Sequence, residues 1–447
     1  MRLGKSDLLA IICCAALLGS NSARAAAQAT NSLLYPIDLP TTLQLAGAQN
    51  LEVQLARERL NEARAEHASA LERFFPWIAP GFTYHRRDGV AQAVPAGTIS
   101  DAHFQSYSPG VTVAAQLDLG DAIYKSLAAK QIVNASTHAL ESQRQETVLQ
   151  AAKVFFDLTR ASQLAEVNSN ALSVSQKFQQ QLHGAVQNGI AFKGDELRVE
   201  TQTKQYQILL RQSVEQQRIA TVELVRVLHL DPMVELVPLD HGLTRLTLVE
   251  TNLSGRALVE QAMASRPELK QSDALVAAAK DTRNGAVYGP LIPSLAAQAF
   301  GGGLGGGPDG GPTHFGAEGD YLVGIQWRIG PGGLFDHGRV QASKSRLSQA
   351  ELNETKVRDD IASQVLAELA RVQSLSDQIE LAEAKLAAAT ETLRVTRERK
   401  QYGVGIVLED VQAQQDLQRA RADYINAVAD FNKAQFDLSR AIGNPQW

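Results

Sequence analysis

The sequence predicts a mainly α-helical chain with a few β-strands, built twice from one plan of long coiled-coil helices and a strand hairpin. The stretch from Thr41 to Pro232 recurs, shifted by about 214 positions, as Gly255 to Pro445. Each copy holds a run of about 60 residues without glycine or proline, far longer than an ordinary globular helix. Between the helical runs, apolar and polar residues alternate with the period of a strand. Duplicated rods are typical of a structural device rather than of a compact enzyme.

The first 25 residues have the pattern of a secretory signal peptide. Two basic residues, Arg2 and Lys5, precede an apolar run from Leu8 to Leu18, and small residues suited to signal peptidase end at Ala25. We therefore expect export with cleavage after Ala25, followed by an N-terminal segment over residues 26–40. Both cysteines lie in the leader, so the mature chain has no disulfide and depends on packing or assembly for stability.

The composition argues against several classes of function. The 447 residues carry a formal net charge of -5, which gives no reason to expect a nucleic acid as partner. The histidines show no paired metal spacing, and no serine-nucleophile elbow is present. Gly301–Gly306 formally fits a nucleotide-binding G-x-G-x-x-G pattern, but Pro308 and more glycine follow it instead of a helix, which favours a mobile loop. We expect no enzyme activity, no cofactor and no metal.

Four strands are predicted, two in each repeat, at about residues 78–86, 104–119, 294–300 and 320–329. In the last of them Tyr321, Val323, Ile325, Trp327 and Ile329 alternate with small or polar residues, so one face is broad and apolar. Loops at about 87–103 and 301–319 are expected to join the strands into two hairpins.

The length of these strands is compatible with a membrane. No segment after the leader has the apolar length of a membrane-spanning helix, so a membrane role would have to use the strands. An ordinary soluble sheet would fit the strands equally well when they are considered alone. Four strands are too few to close a barrel, since the smallest barrels have about eight, so a membrane barrel would need several chains.

The helical runs predict two columns in each repeat. The rods, Ile123–Asn188 and Asp336–Tyr402, would each be about 100 Å long. Four flanking segments are about half as long: Thr42–Phe74, Asp195–Leu228, Arg256–Tyr288 and Glu409–Ile442. Two half-length helices stacked end to end match one rod. The repeats are thus expected at 41–232 and 255–445, with a connector at 233–254 emerging at mid-height.

A seven-residue period predicts how the columns pack. It appears in the second rod as Val365, Val372, Ile379, Leu386 and Leu393. In the last helix it appears as Leu417, Tyr424, Phe431 and Leu438, with an alanine layer at Ala420, Ala427, Ala434 and Ala441. Such a sustained period indicates a left-handed supercoil of closely packed antiparallel helices.

Motifs at the helical turns carry a resemblance to a known family. The most specific runs from Tyr402 to Gln414 (YGVGIVLEDVQAQ), and a weaker copy occupies Asn188–Leu197. Gly333–Arg339 matches the family's passage from strand to helix. In this order, and doubled, the motifs resemble those of the outer-membrane efflux protein family of TolC-like channels over nearly all of the mature chain.

The resemblance implies the outer-membrane exit duct of a tripartite efflux or secretion system. In such a homotrimer, three chains pool four strands each into one 12-stranded transmembrane β-barrel. Their helices form an α-barrel that extends from the outer membrane of a Gram-negative bacterium into the periplasm. The implied partners are a periplasmic adaptor (membrane fusion) protein, an inner-membrane transporter and outer-membrane lipid. The alternative is a periplasmic coiled-coil adaptor or binding protein without a membrane barrel, although an adaptor would usually show a single helical hairpin.

The resemblance also places a periplasmic gate at the two turns. Asp195 and Glu409 each lie six residues after a turn glycine, and Asp410 follows Glu409. Acidic rings at a constriction bind cations, but capping of the returning helix explains these acids equally well. Gln412 and Gly405 stand where the best-known member has a second acidic ring and a latch arginine, which predicts a looser gate.

The tips of the two turns are unusually apolar. We predict that these residues contact the adaptor, whereas an apolar contact within the trimer is the alternative. The predicted contact set is Ile190, Ala191, Phe192, Lys193, Val404, Gly405, Ile406, Val407 and Leu408.

Overall fold

Two very long helices organise the chain. The computed structural model describes residues 34–92, 97, 99–239, 242–250, 253–309, 313–402 and 407–443. The predicted signal peptide and residues 26–33 lie outside this range. The first copy of the plan contains β1 (Leu34–Ile37), α1 (Leu39–Gln49), α2 (Leu51–Glu72), β2 (Trp77–Gln92), β3 (Ile99–Asp118), α3 (Leu119–Gln187) and α4 (Lys193–Leu228). After β4 (Glu235–Pro238), the second copy contains α5 (Gly255–Ser265), α6 (Pro267–Tyr288), β5 (Ser294–Pro308), β6 (His314–Gln326), α7 (His337–Gln401) and α8 (Val407–Ala441).

The rods are α3 and α7, of 69 and 65 residues. At about 1.5 Å per residue each is roughly 100 Å long. Helices α2, α4, α6 and α8 pack along α3, and α5, α6 and α8 pack along α7. The predicted class, long helices with a smaller part in strands, is confirmed. Among the described helices, none combines the length and the apolar character needed to cross a membrane.

The half-length segments 42–74 and 256–288 are each broken into two helices, although each was predicted as a single segment. The second break lies at Arg266, with ψ 125°, because it precedes Pro267. A residue before proline is pushed out of the helical region, and proline has no N–H to donate. The first break lies at Asn50, whose Oδ1 accepts a hydrogen bond from the Glu52 amide at 2.7 Å and so caps α2.

Each break also meets the end of another helix. Asn50 donates from Nδ2 to the main-chain oxygen of Val227, near the end of α4, at 3.0 Å. Arg266 donates from Nη1 to the main-chain oxygen of Ala441, the last residue of α8, at 3.2 Å. Terminal carbonyls of a helix lack partners within the helix, so these side chains satisfy groups that would otherwise be unpaired. The half-length helices therefore meet end to end at these two junctions.

The connector between the copies is attached near these junctions. Strand β4 pairs in parallel with β1. Farther along, the Leu246 amide donates to Asn432 Oδ1 at 2.9 Å, and the Val249 amide donates to Gln435 Oε1 at 2.9 Å. Both acceptor side chains are buried on α8. The last turns of α8 thus hold the connector in place.

The predicted seven-residue seam forms the core between α7 and α8. Val365 and Val372 are completely buried, and so are Phe431 and Leu438 opposite them. In the alanine layer, Ala420, Ala434 and Ala441 are also completely buried. Small side chains in one layer allow two helices to approach closely. The seam is apolar over most of its length.

The four long strands form one antiparallel sheet in the order β2-β3-β5-β6. The strands are longer than predicted, because they continue through much of the expected loops at 87–103 and 301–319. Strand β6 ends at Gln326, before the predicted end at 329, where Gly330 adopts φ 113° and turns the chain. Strands β2 and β6 are the edges, each paired on one side only within the described chain.

Aromatic rings explain why the glycine-rich tract is a strand rather than the expected loop. The rings of Tyr107 and Phe315 stack with centroids 5.9 Å apart. They lie over Gly305, where a Cβ atom would come within 2.4 Å of the Tyr107 ring. Glycine normally weakens a strand, but here it leaves room for rings from both neighbouring strands.

In the observed register, the large apolar residues of the alternating strands lie on the same face of the sheet. Val113 pairs with Ala299, which pairs in turn with Tyr321. Partners opposite each other in a sheet point to the same side. Large apolar residues on this side are more than half exposed, namely Ile78, Phe82, Tyr321, Val323 and Ile325. A broad apolar face thus lies open on the described chain.

Candidate functional site at the helical turns

The first predicted turn and the helix that follows the second turn lie together at one end of the helices. Phe178 and Leu182 near the end of α3, Val199 near the start of α4, and Val411 near the start of α8 form one buried apolar cluster. The cluster packs the α3–α4 hairpin against the beginning of α8. The acidic and apolar residues singled out from the two repeats are therefore parts of one structural region.

The first turn is closed by glycine. Gly189 adopts φ 71°, a left-handed conformation that favours glycine, and the Ile190 amide donates back to the Ala185 carbonyl at 2.8 Å. Helix α4 then begins after Phe192, which makes no side-chain capping bond. Ile190 and Phe192 are 80% and 82% exposed. The turn therefore presents two large apolar side chains to the outside.

A buried carboxylate that the sequence analysis missed lies next to the predicted gate acid. Glu196 is 7% exposed, and its Oε1 lies 2.7 Å from Nδ1 of His183. Its Oε2 accepts a hydrogen bond from Nζ of Lys193 at 2.8 Å. The bonds from Lys193 and His183 lower the pKa of Glu196 from its usual value. Glu196 thus links the end of α3 to the start of α4. In the sequence, Lys193 three positions earlier was the available signal that this carboxylate is paired.

Two of the three predicted gate acids, Asp195 and Glu409, remain accessible, and each has an arginine neighbour. Asp195 Oδ1 lies 3.9 Å from Nη1 of Arg198. Glu409 Oε2 accepts a hydrogen bond from Nη1 of Arg399 at 3.2 Å. Neighbouring guanidinium groups reduce the negative potential that a carboxylate presents to a cation.

Asp410, the third predicted gate acid, has a different environment. It is 3% exposed, and its Oδ1 accepts a hydrogen bond from Nε2 of Gln414 one turn farther along α8, at 3.1 Å. Its neighbour Val411 belongs to the apolar cluster at the turns. Within one chain, Asp410 lies in the helix packing rather than on an open surface.

The predicted tip residues divide into four groups. Ile190, Phe192 and Leu408 are exposed, whereas Ala191 and Val407 pack against the apolar cluster. Ala191 and Val407 are partly buried against this cluster, so less of each side chain is open to a partner than at Ile190 or Phe192. Lys193 has an exposed stem but pairs with Glu196. The remaining tip residues, Val404, Gly405 and Ile406, lie outside the described residues.

Polar contacts join the two helical hairpins above the turns. Gln202 of α4 accepts a hydrogen bond from Gln415 of α8. Asn168 of α3 accepts one from Nε2 of Gln418 at 2.8 Å. Hydrogen bonds between amides add little net free energy, because the same groups bond to water when the helices separate. These polar contacts supplement the apolar cluster that packs the first hairpin against α8.

The described residues contain no group of three or more histidine, cysteine, aspartate or glutamate side chains arranged to hold a metal ion. The arrangement offers instead exposed carboxylates, exposed apolar tips and a polar seam.

Comparison with known proteins gives a family match and related structures. Residues 258–444 match the model of the family described as outer membrane efflux protein. The chain is similar to a membrane protein from Pseudomonas aeruginosa, with a TM-score of 0.77 and 18% identity, covering 93% of this chain and 95% of the other. The outer-membrane channel OprN gives a TM-score of 0.76 with 16% identity, covering 91% and 90%.

The outer membrane protein VceC from Vibrio cholerae gives a TM-score of 0.75 with 17% identity, covering 91% of this chain and 96% of the other. The sequence has no significant match among curated proteins. At such low identities the structural likeness establishes the fold alone, and it does so along most of the chain.

Proposed function

We propose that the whole chain is the outer-membrane exit duct of a tripartite efflux system, from the premise that its second copy matches the model of the outer membrane efflux protein family. The duct lies in the outer membrane of a Gram-negative bacterium and extends into the periplasm. The observation that carries this function is an unclosed antiparallel sheet with an open apolar face, joined to rods about 100 Å long.

The state of assembly we propose is a homotrimer. A four-stranded sheet leaves unpaired N–H and C=O groups along β2 and β6, and these are costly in lipid. Pairing β6 of one chain with β2 of the next satisfies both edges. Three chains would give 12 strands, within the range of outer-membrane barrels. The open apolar face would then contact lipid.

We propose an adaptor protein and an inner-membrane transporter as further partners. The exposed side chains of Ile190, Phe192 and Leu408 support this proposal, because apolar groups at the end of a periplasmic rod need a protein surface to cover them. Ala191 and Val407 are not part of the proposed contact, since they are packed within the chain.

The proposed gate consists of Asp195 and Glu409. Repeated around a threefold axis, these accessible carboxylates would form rings that attract cations at the narrow end of the tunnel. Arg198 and Arg399 balance part of their charge. We leave Asp410 out of the ring because it is buried in the helix packing.

The alternative function, a periplasmic binding protein without a barrel, would account for the rods but would give no role to the apolar face of the sheet. The test is to determine the oligomeric mass of the detergent-purified protein and its single-channel conductance in a planar bilayer, using one preparation. We expect three chains per particle and a small, cation-selective conductance. A monomer without conductance would contradict the shared barrel and support the binding protein.

A further inference from the structure

A cavity of about 170 Å³ lies above the turns, where the two helical hairpins meet. Helices α3 and α4 of the first hairpin and α7 and α8 of the second all line it. For scale, a cavity of about 150 Å³ can hold a benzene-sized molecule. The space is therefore sufficient for a small polyatomic ion.

A buried tyrosine lines the cavity. Tyr206 of α4 is 2% exposed, and among the described residues no group meets its hydroxyl in ordinary hydrogen-bond geometry, although the Gln202 side chain is near enough to act on its pKa. An unpaired hydroxyl in an apolar environment costs free energy unless a bound group satisfies it. Burial raises the pKa of Tyr206, so the hydroxyl stays protonated at neutral pH and can donate.

Two cations border the same cavity, Arg397 of α7 and Arg421 of α8. Neither guanidinium forms an ion pair or a side-chain hydrogen bond with the part of the chain that the structure describes. The amides of Gln414 and Gln418 also line the cavity, but they donate to Asp410 and Asn168. The donors that remain for a ligand are thus one hydroxyl, two guanidinium groups and the exposed amide of Asn170, and no carboxylate of the described residues lines the space.

We propose that this cavity binds a small oxyanion of the phosphate class. The hydroxyl of Tyr206 donates from the floor, and the guanidinium groups of Arg397 and Arg421 donate at the mouth. Guanidinium groups match oxyanions in charge and in the geometry of paired donors. Leucine and valine side chains on the walls lower the local dielectric and strengthen these bonds.

A bound anion would connect the two hairpins. It would join α4 to α7 and α8 at a level where amide hydrogen bonds otherwise hold the hairpins together. The arrangement seen here would then gain stability whenever the anion is present. This consequence concerns binding alone and does not depend on the proposed duct.

The test is calorimetric titration of the full-length, detergent-purified protein with inorganic phosphate, at constant ionic strength set with chloride. We expect saturable binding with one site per chain. Tyr206→Phe should weaken it on the order of tenfold, as expected when a hydrogen bond to a charged group is lost. Arg397→Gln and Arg421→Gln should each weaken it further. The matched control is Arg211→Gln, an exposed arginine on α4 outside the cavity, which should bind as the parent does.

Thermal unfolding separates the ligand effect from folding defects. Without phosphate, Tyr206→Phe should unfold at or above the parent temperature, because it removes an unpaired buried hydroxyl. With saturating phosphate, the parent should unfold at a higher temperature than Tyr206→Phe, because it binds the anion more tightly. The absence of saturable binding, or equal binding by the parent and all three cavity variants, would overturn the proposal.

Discussion

Glu268 and Arg440 form an ion pair across the mid-height junction, joining the first turn of α6 to the last turn of α8. The same carboxylate accepts a hydrogen bond from Oγ of Ser142 on α3 at 2.6 Å. Its other oxygen accepts one from Nε of Arg266 at 2.9 Å. One side chain therefore connects the rod to both half-length helices that meet beside it.

Replacing this carboxylate should destabilise the junction. In Glu268→Gln, the buried guanidinium of Arg440 would lose its closest counter-ion and keep only the more distant Glu146, 4.0 Å from its Nε; breaking a buried ion pair typically costs about 3 kcal/mol. We expect a clear fall in the midpoint temperature of helix unfolding, measured by circular dichroism. The control is Glu260→Gln, which removes an exposed ion pair with Arg256 and should change stability little. Equal midpoints for the two variants would contradict the role of the junction.

The junction should also respond to acid. Burial acts to raise the pKa of Glu268, but the bonds and charges of Arg440, Ser142 and Arg266 outweigh it and lower the pKa from 4.5 to about 2. A lowered pKa contributes stability that is complete above the unfolded value and is lost as the pH falls toward 2. The stability difference between parent and Glu268→Gln should therefore shrink between pH 5 and pH 2, as thermal unfolding at a series of pH values would measure. If the stability difference stays constant over this pH range, the charge of the Glu268 carboxylate is not what stabilises the junction.

The sheet offers a matched pair of glycine substitutions in β5. Gly305→Ala would place a methyl group 2.4 Å from the Tyr107 ring, whereas a Cβ at Gly301 meets nothing within 4 Å. Overpacking typically costs about 1–3 kcal/mol. We expect Gly305→Ala to lower the temperature at which the assembled protein dissociates in detergent, with Gly301→Ala close to the parent. The explanation of the glycine tract by aromatic packing fails if both variants behave alike.

Neutralising the gate acids should change ion block. In the double variant Asp195→Asn with Glu409→Gln, the accessible negative charge at the turns disappears, so inhibition by divalent cations should weaken several-fold. Single-channel recording measures this directly. Glu351→Gln, an exposed acid on α7 far along the rod from the turn, serves as the control. Undiminished block in the double variant would place the gate elsewhere.

The exposed tip of the first turn should be needed for transport but not for folding. Changing both Ile190 and Phe192 to serine removes the two most exposed apolar side chains of that turn. We expect export by cells to be lost while the oligomer forms in normal amounts. Leu352→Ser, at a 70% exposed position on α7, controls for general loss of surface apolarity. Retained export would argue against an adaptor contact at this turn.

The seam between α7 and α8 could be predicted from sequence because a strict seven-residue period specifies one face of a helix without help from distant contacts. The break at Arg266 was also readable, since proline follows it. The break at Asn50 depends instead on a contact with Val227, far away in sequence. The same limit applies to Glu196, whose burial depends on a histidine across the turn. Residue type alone does not distinguish the buried Glu196 from its accessible neighbour Asp195.

The paired breaks at Asn50 and Arg266 also bear on ancestry. They lie 216 residues apart (266 − 50), close to the repeat shift of about 214, and so occupy equivalent places in the two copies. The side chain at each break donates a hydrogen bond to a carbonyl at the end of a neighbouring helix. A shared feature of this kind is expected if the chain arose by doubling of a half-length precursor. Such a precursor would carry one strand hairpin and one rod, so closing the proposed ring would take twice as many copies. A doubled chain needs half as many subunits and leaves its two turns free to differ.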